Sequence, residues 1–124
     1  MTIAPQDIRE RAMEYSLRAI RVYRYLLEQR EDVGRIIGRQ FLRSATSIGA
    51  NLVEAQSGES RRDFIHKCGI AQKEARESKY WLMLLQNSQT TTTTRRLDLM
   101  IDETDQIIAI LTRIIVNAKK GTKG

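Results

Sequence analysis

His66 and Cys68 are the single histidine and the single cysteine of this 124-residue chain. Imidazole and thiol are the groups with which a small protein most readily builds a nucleophile–base pair or a metal site. Two positions apart on a helix they point about 200° from each other, so they do not form a joint site. Cys68 falls on an apolar stripe and reads as an inert core thiol, whereas His66 falls off the stripe and reads as a surface residue. A dinuclear centre in a helical bundle needs inward carboxylates and a Glu three residues before a His. Position 63 is Asp63, and no Glu-x-x-His exists. Gly34 and Gly38 lie inside a helical pattern and match neither phosphate-loop nor dinucleotide spacing. The chain therefore reads as a non-enzyme without metal or cofactor.

Arginine is the other chemistry on offer. The formal net charge is +6 and the pI is about 9.8, a balance that suits nucleic-acid partners. Arg18, Arg21 and Arg24 step by three, and Arg35, Arg39 and Arg43 step by four, so each set forms a stripe able to track phosphates. From Arg18 to Arg43 there are seven basic and three acidic residues, whereas Leu97 to Thr112 holds four acidic and no basic ones. The charge is polarised along the chain. Tyr23 and Tyr25 beside Arg21 and Arg24 are the one aromatic–basic cluster of the kind single-strand readers use. Solvated helix faces, or pairing with acidic groups of a neighbouring subunit, would account for the same arginines.

Four amphipathic helices must position these groups. After Pro5 there is no proline, a composition that long helices favour. Ile8, Ala12, Tyr15, Ala19, Val22 and Leu26 make one stripe of a helix over about 7–28, with Asp7 and Glu10 as its capping box. Val33, Ile37, Phe41, Ala45, Ile48, Leu52 and Ala55 repeat the pattern over about 32–56, stopped by Ser57-Gly58. Ser60 and Asp63 start a third helix over about 61–88, whose stripe is Phe64, Cys68, Ala71, Ala75, Ser78, Leu82 and Leu85. Thr90 to Thr94 reads as the third loop. A fourth helix over about 95–118 carries Leu97, Ile101, Thr104, Ile108, Leu111 and Ile115 on a heptad-like face, and the tail from Lys119 onward is expected to fray. Short connections then predict one all-α domain over 1–124, an antiparallel up-down-up-down four-helix bundle.

The lone cysteine fits a reducing compartment. Met1–Asp7 is neither basic nor followed by an apolar core, so no secretory signal is expected, nor is any apolar run long enough to span a membrane. A cytoplasmic location follows as the expectation. Gly34, Gly38 and Gly49 each cost a helix interior about 1 kcal/mol against alanine and are expected at close approaches within the bundle or, alternatively, at a subunit contact. Ser44, Ser47, Asn51 and Glu54 share a face next to the apolar stripe, and Asn51 and Glu54 are expected to be partly buried and partnered. Arg76, Glu77, Lys79 and Tyr80 are placed to reach a neighbouring helix or subunit as a polar network, with a solvated face supported by Lys73–Glu77 as the plainer alternative.

Phe41–Ala55, Ser60–Ile65, Ile70–Glu77 and Tyr80–Leu82 together resemble the bacterial four-helix-bundle proteins encoded in intervening sequences of large-subunit ribosomal RNA genes. The resemblance is specific over about 39–85 and compatible in pattern elsewhere. It implies an up-and-down bundle, a homo-oligomeric ring that is a pentamer, and no enzymatic activity. A related branch, the accessory variability determinant of diversity-generating retroelements, is a basic pentamer that partners a reverse transcriptase and its RNA. Ser47, Asn51, Glu54, Glu74 and Glu77 match the family pattern and, with Tyr80 and Trp81, are expected to serve packing or assembly. The threonine-rich loop is not a feature of the family. Two functions from different classes follow: a basic oligomer that binds RNA or DNA or a nucleic-acid-processing partner, or a protein-adaptor module that binds no nucleic acid.

Overall fold

The computed structural model describes residues 5–57, 60–88 and 94–121. They form four helices, α1 (Pro5–Glu28), α2 (Asp32–Gln56), α3 (Arg61–Asn87) and α4 (Thr94–Gly121), and no strand is present among the described residues. Proline suits the first turn of α1, where its missing N–H is one the helix cannot use. Arg30 closes the first connection in the left-handed region, at φ 57°, with its N–H donating to the Leu27 carbonyl at 3.2 Å. Glu31 caps α2, its carboxylate accepting from the Val33 and Gly34 amides. Ser60 caps α3 by accepting from the Asp63 amide at 3.1 Å. The Asp7 side chain, Gly58 and Thr90–Thr93 lie outside the described residues, and Thr94 begins α4 rather than ending a loop. Lys119, Lys120 and Gly121, expected in a frayed tail, continue α4.

Each helix packs on its neighbours in the chain, and α1 closes the ring against α4. Contacts fall along one helix as they climb the next. Ser44 meets Ser78 while Glu54 meets Lys67 across α2 and α3; Gln72 meets Thr112 while Lys79 meets Asp105 across α3 and α4. Ile8 shares a small cavity with Ile114, and Val22 shares a groove with Met100. That register belongs to neighbours running in opposite senses.

The core follows the α1 and α3 stripes closely: all six α1 positions are buried, as are the α3 positions from Cys68 to Leu85. Two expectations need correction. Val33 is 50% exposed, and Gly34 and Gly38 take its place on the buried face of α2. On α4 the centre of the buried face runs through Leu97, Met100, Thr104, Ile107, Ile110 and Leu111, with Ile101, Ile108 and Ile115 only packed against its edge. An apolar face this wide leaves its midline undetermined by periodicity.

Of the three glycines assigned to close approach, Gly38 fits. A Cβ there would lie 2.6 Å from Leu26 Cδ1, whereas one at Gly49 would meet Ala12 Cβ at an ordinary 3.6 Å. Gly49 is therefore not forced by contact.

Candidate nucleic-acid interface

The six arginines stand on α1 and α2 and differ in what they touch. Arg21 reaches Glu14 at 3.3 Å and Arg35 reaches Asp32 at 2.6 Å, both along their own helices. Arg43 crosses to α3, where it pairs with Glu77 and, at 3.5 Å, with Glu74. Arg18, Arg24 and Arg39 have no carboxylate partner among the described residues. Arg24 and Arg39 are exposed and Arg18 is half-buried. The α2 stripe is thus partly neutralised within the protomer, and of the six arginines those left without a carboxylate are two on α1 and one on α2. Exposed pairs of this kind contribute at most about 1 kcal/mol each to stability, and salt screens them.

Three of the four acidic side chains in the α4 run are likewise occupied. Glu103 takes a bidentate guanidinium from Arg11, with Nε donating to Oε2 at 3.0 Å and Nη2 to Oε1 at 2.7 Å. Asp105 pairs with Lys79 at 2.8 Å, and Asp98 accepts from Gln86. Arg11 was invisible as a partner because the pairing depends on the register of two helices distant in sequence.

The packing and assembly residues divide in the same way. Ser47 donates to the Arg43 carbonyl at 2.8 Å and Asn51 to the Ser47 carbonyl at 2.8 Å, so both satisfy themselves on their own helix. Asn51 is half-buried as expected, but Glu54 is exposed and pairs with Lys67 of α3 at 2.6 Å. Glu77 does not meet Lys73. It accepts from Trp81 Nε1 at 2.9 Å and from Arg43, and these bonds hold its carboxyl below the ordinary carboxylate range, against the opposing effect of burial. Tyr80 is 56% exposed and packs edge-to-face on Trp81, ring centroids 5.2 Å apart.

The buried polar network lies elsewhere, and sequence reading missed it. Ser44, Ser78 and Thr104 are fully buried, as is Tyr15. Ser44 Oγ is 2.8 Å from Ser78 Oγ, and the Tyr15 hydroxyl is 2.6 Å from Thr104 Oγ1. The Glu74 carbonyl lies 2.9 Å from Ser78 Oγ and the Phe41 carbonyl 3.1 Å from Ser44 Oγ. One hydroxyl comes from each helix. The signal was present as hydroxyl residues on otherwise apolar stripes.

His66 is exposed and Cys68 is 1% exposed. Burial pushes the Cys68 thiol up to about 11, away from the reactive thiolate. No group of three or more His, Cys, Asp or Glu side chains able to hold a metal exists among the described residues. None of the helices is long and apolar enough to cross a membrane.

The arrangement is thus a bundle with a satisfied polar centre and guanidinium groups on its surface that have no carboxylate partner among the described residues. Residues 5–113 match the family model described as 23S rRNA-intervening sequence protein. Among solved structures the chain is similar to a protein of unknown function from the S23 ribosomal protein family of Bacteroides thetaiotaomicron, at 37% identity and a TM-score of 0.83. That likeness covers 90% of this chain and 96% of the other. None of the curated proteins matches the chain.

Proposed function

The chain belongs to the 23S rRNA-intervening sequence protein family, and on that premise we propose that it is a non-enzymatic, cytoplasmic, basic bundle that binds RNA or DNA. The observation that carries this reading is that three arginines of the two stripes, Arg18, Arg24 and Arg39, have no carboxylate partner among the described residues, in a chain of net charge +6. Guanidinium groups left uncompensated on a helix surface are free to displace counterions from a phosphate backbone. The sequence resemblance supports assembly into a pentamer and a nucleic-acid-processing protein, such as a reverse transcriptase, as partner. A ring multiplies each weak basic face, so several contacts engage one strand at once. Equilibrium binding to labelled RNA and DNA over a salt series tests the reading. Binding that weakens steadily with salt is the expected result, and no binding at low ionic strength overturns it. Light scattering coupled to size exclusion reads the oligomer, and a monomer removes the multivalent part.

A second reading, an adaptor that binds protein and no nucleic acid, is favoured by the exposed Tyr80 ring set edge-to-face on Trp81, since aromatic groups are enriched in protein interfaces. Under it, Tyr80→Ala abolishes partner capture while the arginine variants leave it intact.

A further inference from the structure

Between α1 and α4 lies an open groove of about 510 Å³ lined by Glu14, Arg18, Arg21, Val22, Arg96 and Met100. We propose that this groove is the phosphate-binding site for single-stranded nucleic acid, a proposal that rests on the nucleic-acid reading above and names where the strand seats. Three guanidinium groups face a single carboxylate there. Arg21 takes that carboxylate, Glu14, at 3.3 Å, and Arg18 and Arg96 have no carboxylate partner among the described residues. Arg96 also stands in the first turn of α4, which holds no acidic residue, and a cation at that end of a helix opposes the helix dipole. Gathering Arg96 with two arginines of another helix is a cost to the isolated protomer that a bound polyanion offsets.

The shape narrows the anion. The volume falls within the roughly 300–1,000 Å³ of small-ligand sites and exceeds what one inorganic phosphate fills. Val22 and Met100, 4% and 0% exposed, stay beneath the surface, and the apolar part of the lining is left to the methylene stems of Arg18, Arg21 and Arg96, which suit the face of a sugar or base between guanidinium-bound phosphates. A duplex keeps its bases stacked inside and cannot lay a nucleoside into a cleft between two helices, whereas a single strand splays its bases out. An acidic peptide would satisfy the guanidinium groups but leave the arginine stems without a matching group.

Fluorescence anisotropy of a labelled oligouridylate, titrated with the full-length protein at several salt concentrations, tests the site. Arg18→Gln/Arg96→Gln is expected to weaken binding about tenfold at low salt and to flatten the slope of log affinity against log salt by about 1.4, the share of two single-strand phosphates. Arg62→Gln/Arg113→Gln, exposed on α3 and α4 and absent from the groove lining, is expected to leave that slope unchanged. Arg18→Lys/Arg96→Lys keeps the charge and is expected to restore the slope, which separates loss of binding from loss of folding. An unchanged slope in the Gln variant of a protein that still binds RNA overturns the groove and leaves the nucleic-acid reading standing. Failure of the wild-type chain to bind oligouridylate at low salt overturns both. Displacement of the RNA by polyglutamate as effectively as by unlabelled oligouridylate also overturns the proposal, because the groove would then read charge alone.

Discussion

The Tyr15 hydroxyl and Thr104 Oγ1 lie 2.6 Å apart at the dry centre of the bundle, joining α1 to α4. Thr104 already donates its proton to the Met100 carbonyl at 2.6 Å, so Tyr15 is the donor of the pair. Ser44 and Ser78 lie 2.8 Å apart, one donating to the other while the other donates to a backbone carbonyl, Phe41 for Ser44 at 3.1 Å or Glu74 for Ser78 at 2.9 Å. Two hydroxyl pairs, Tyr15 with Thr104 and Ser44 with Ser78, each backed by carbonyls of their own helices, therefore satisfy a hydroxyl from every helix. Such pairs tolerate one register of the helices they join, because a slip of one turn leaves hydroxyls buried without partners.

Removing either end of that pair has unequal cost. Tyr15→Phe deletes the donor but leaves Thr104 bonded to Met100, and is expected to cost about 1 kcal/mol. Thr104→Val leaves a buried phenol with no acceptor, and is expected to cost about 2 kcal/mol. In the double variant no orphan remains, so chemical denaturation should show it more stable than the sum of the two by about 1 kcal/mol. Strict additivity would mean that the hydroxyls do not interact.

Alkaline pH should weaken the fold. Burial raises the Cys68 thiol from 9.0 to about 11 and raises the Tyr15 phenol above its ordinary value. Above pH 9 the unfolded chain releases the thiol proton that the folded chain retains, so stability falls as pH rises from 9 to 11. Below pH 9 both states hold the proton and no dependence arises from it. Denaturation midpoints measured across this window should decline in the wild type and decline less in Cys68→Ala, and thiol labelling at pH 8 should wait on unfolding.

The helical class and the α1 stripe were legible because Ile8, Ala12, Tyr15, Ala19, Val22 and Leu26 form a face bounded by charge on both sides. Gly34 was not legible as a core position, since glycine carries no hydropathic signal, and Val33 beside it carried a misleading one. The arginine stripes were readable as stripes. Their partners were not: whether Arg43 meets Glu77 or solvent depends on how α2 and α3 align, and Arg96 joins Arg18 only once α4 folds back along α1. Sequence spacing orders groups along one helix and is silent about the groove between two.

Glu77 and Trp81 supply an optical test of the α2–α3 contact. Trp81 is the sole tryptophan of the chain, and its Nε1 donates to the Glu77 carboxylate that Arg43 also holds. Because the folded carboxyl titrates below its ordinary 4.5, its contribution to stability is present above that value and is lost as pH falls through the lower folded one. Tryptophan fluorescence should therefore report a transition with its midpoint below pH 4.5. In Arg43→Ala the midpoint should move up towards 4.5, with a stability loss under about 1 kcal/mol because the pair is exposed. An unmoved midpoint would place Arg43 in solvent rather than on α3.

Three helix-interior glycines separate propensity from packing. Gly69 of α3 has nothing within 4 Å of an added Cβ, Gly49 of α2 has Ala12 at 3.6 Å, and Gly38 of α2 has Leu26 Cδ1 at 2.6 Å. Alanine gains the same helix propensity at each, about 1 kcal/mol. Gly69→Ala and Gly49→Ala should realise that gain in thermal denaturation. Gly38→Ala must displace Leu26, which is 1% exposed and has no room to swing outwards, and overpacking of this kind costs about 1–3 kcal/mol. It should therefore come out neutral or destabilised, below the other two. Should Gly69→Ala instead lose stability only at protein concentrations where the chain is oligomeric, the open face around Gly69 would be a subunit contact that needs a bare backbone.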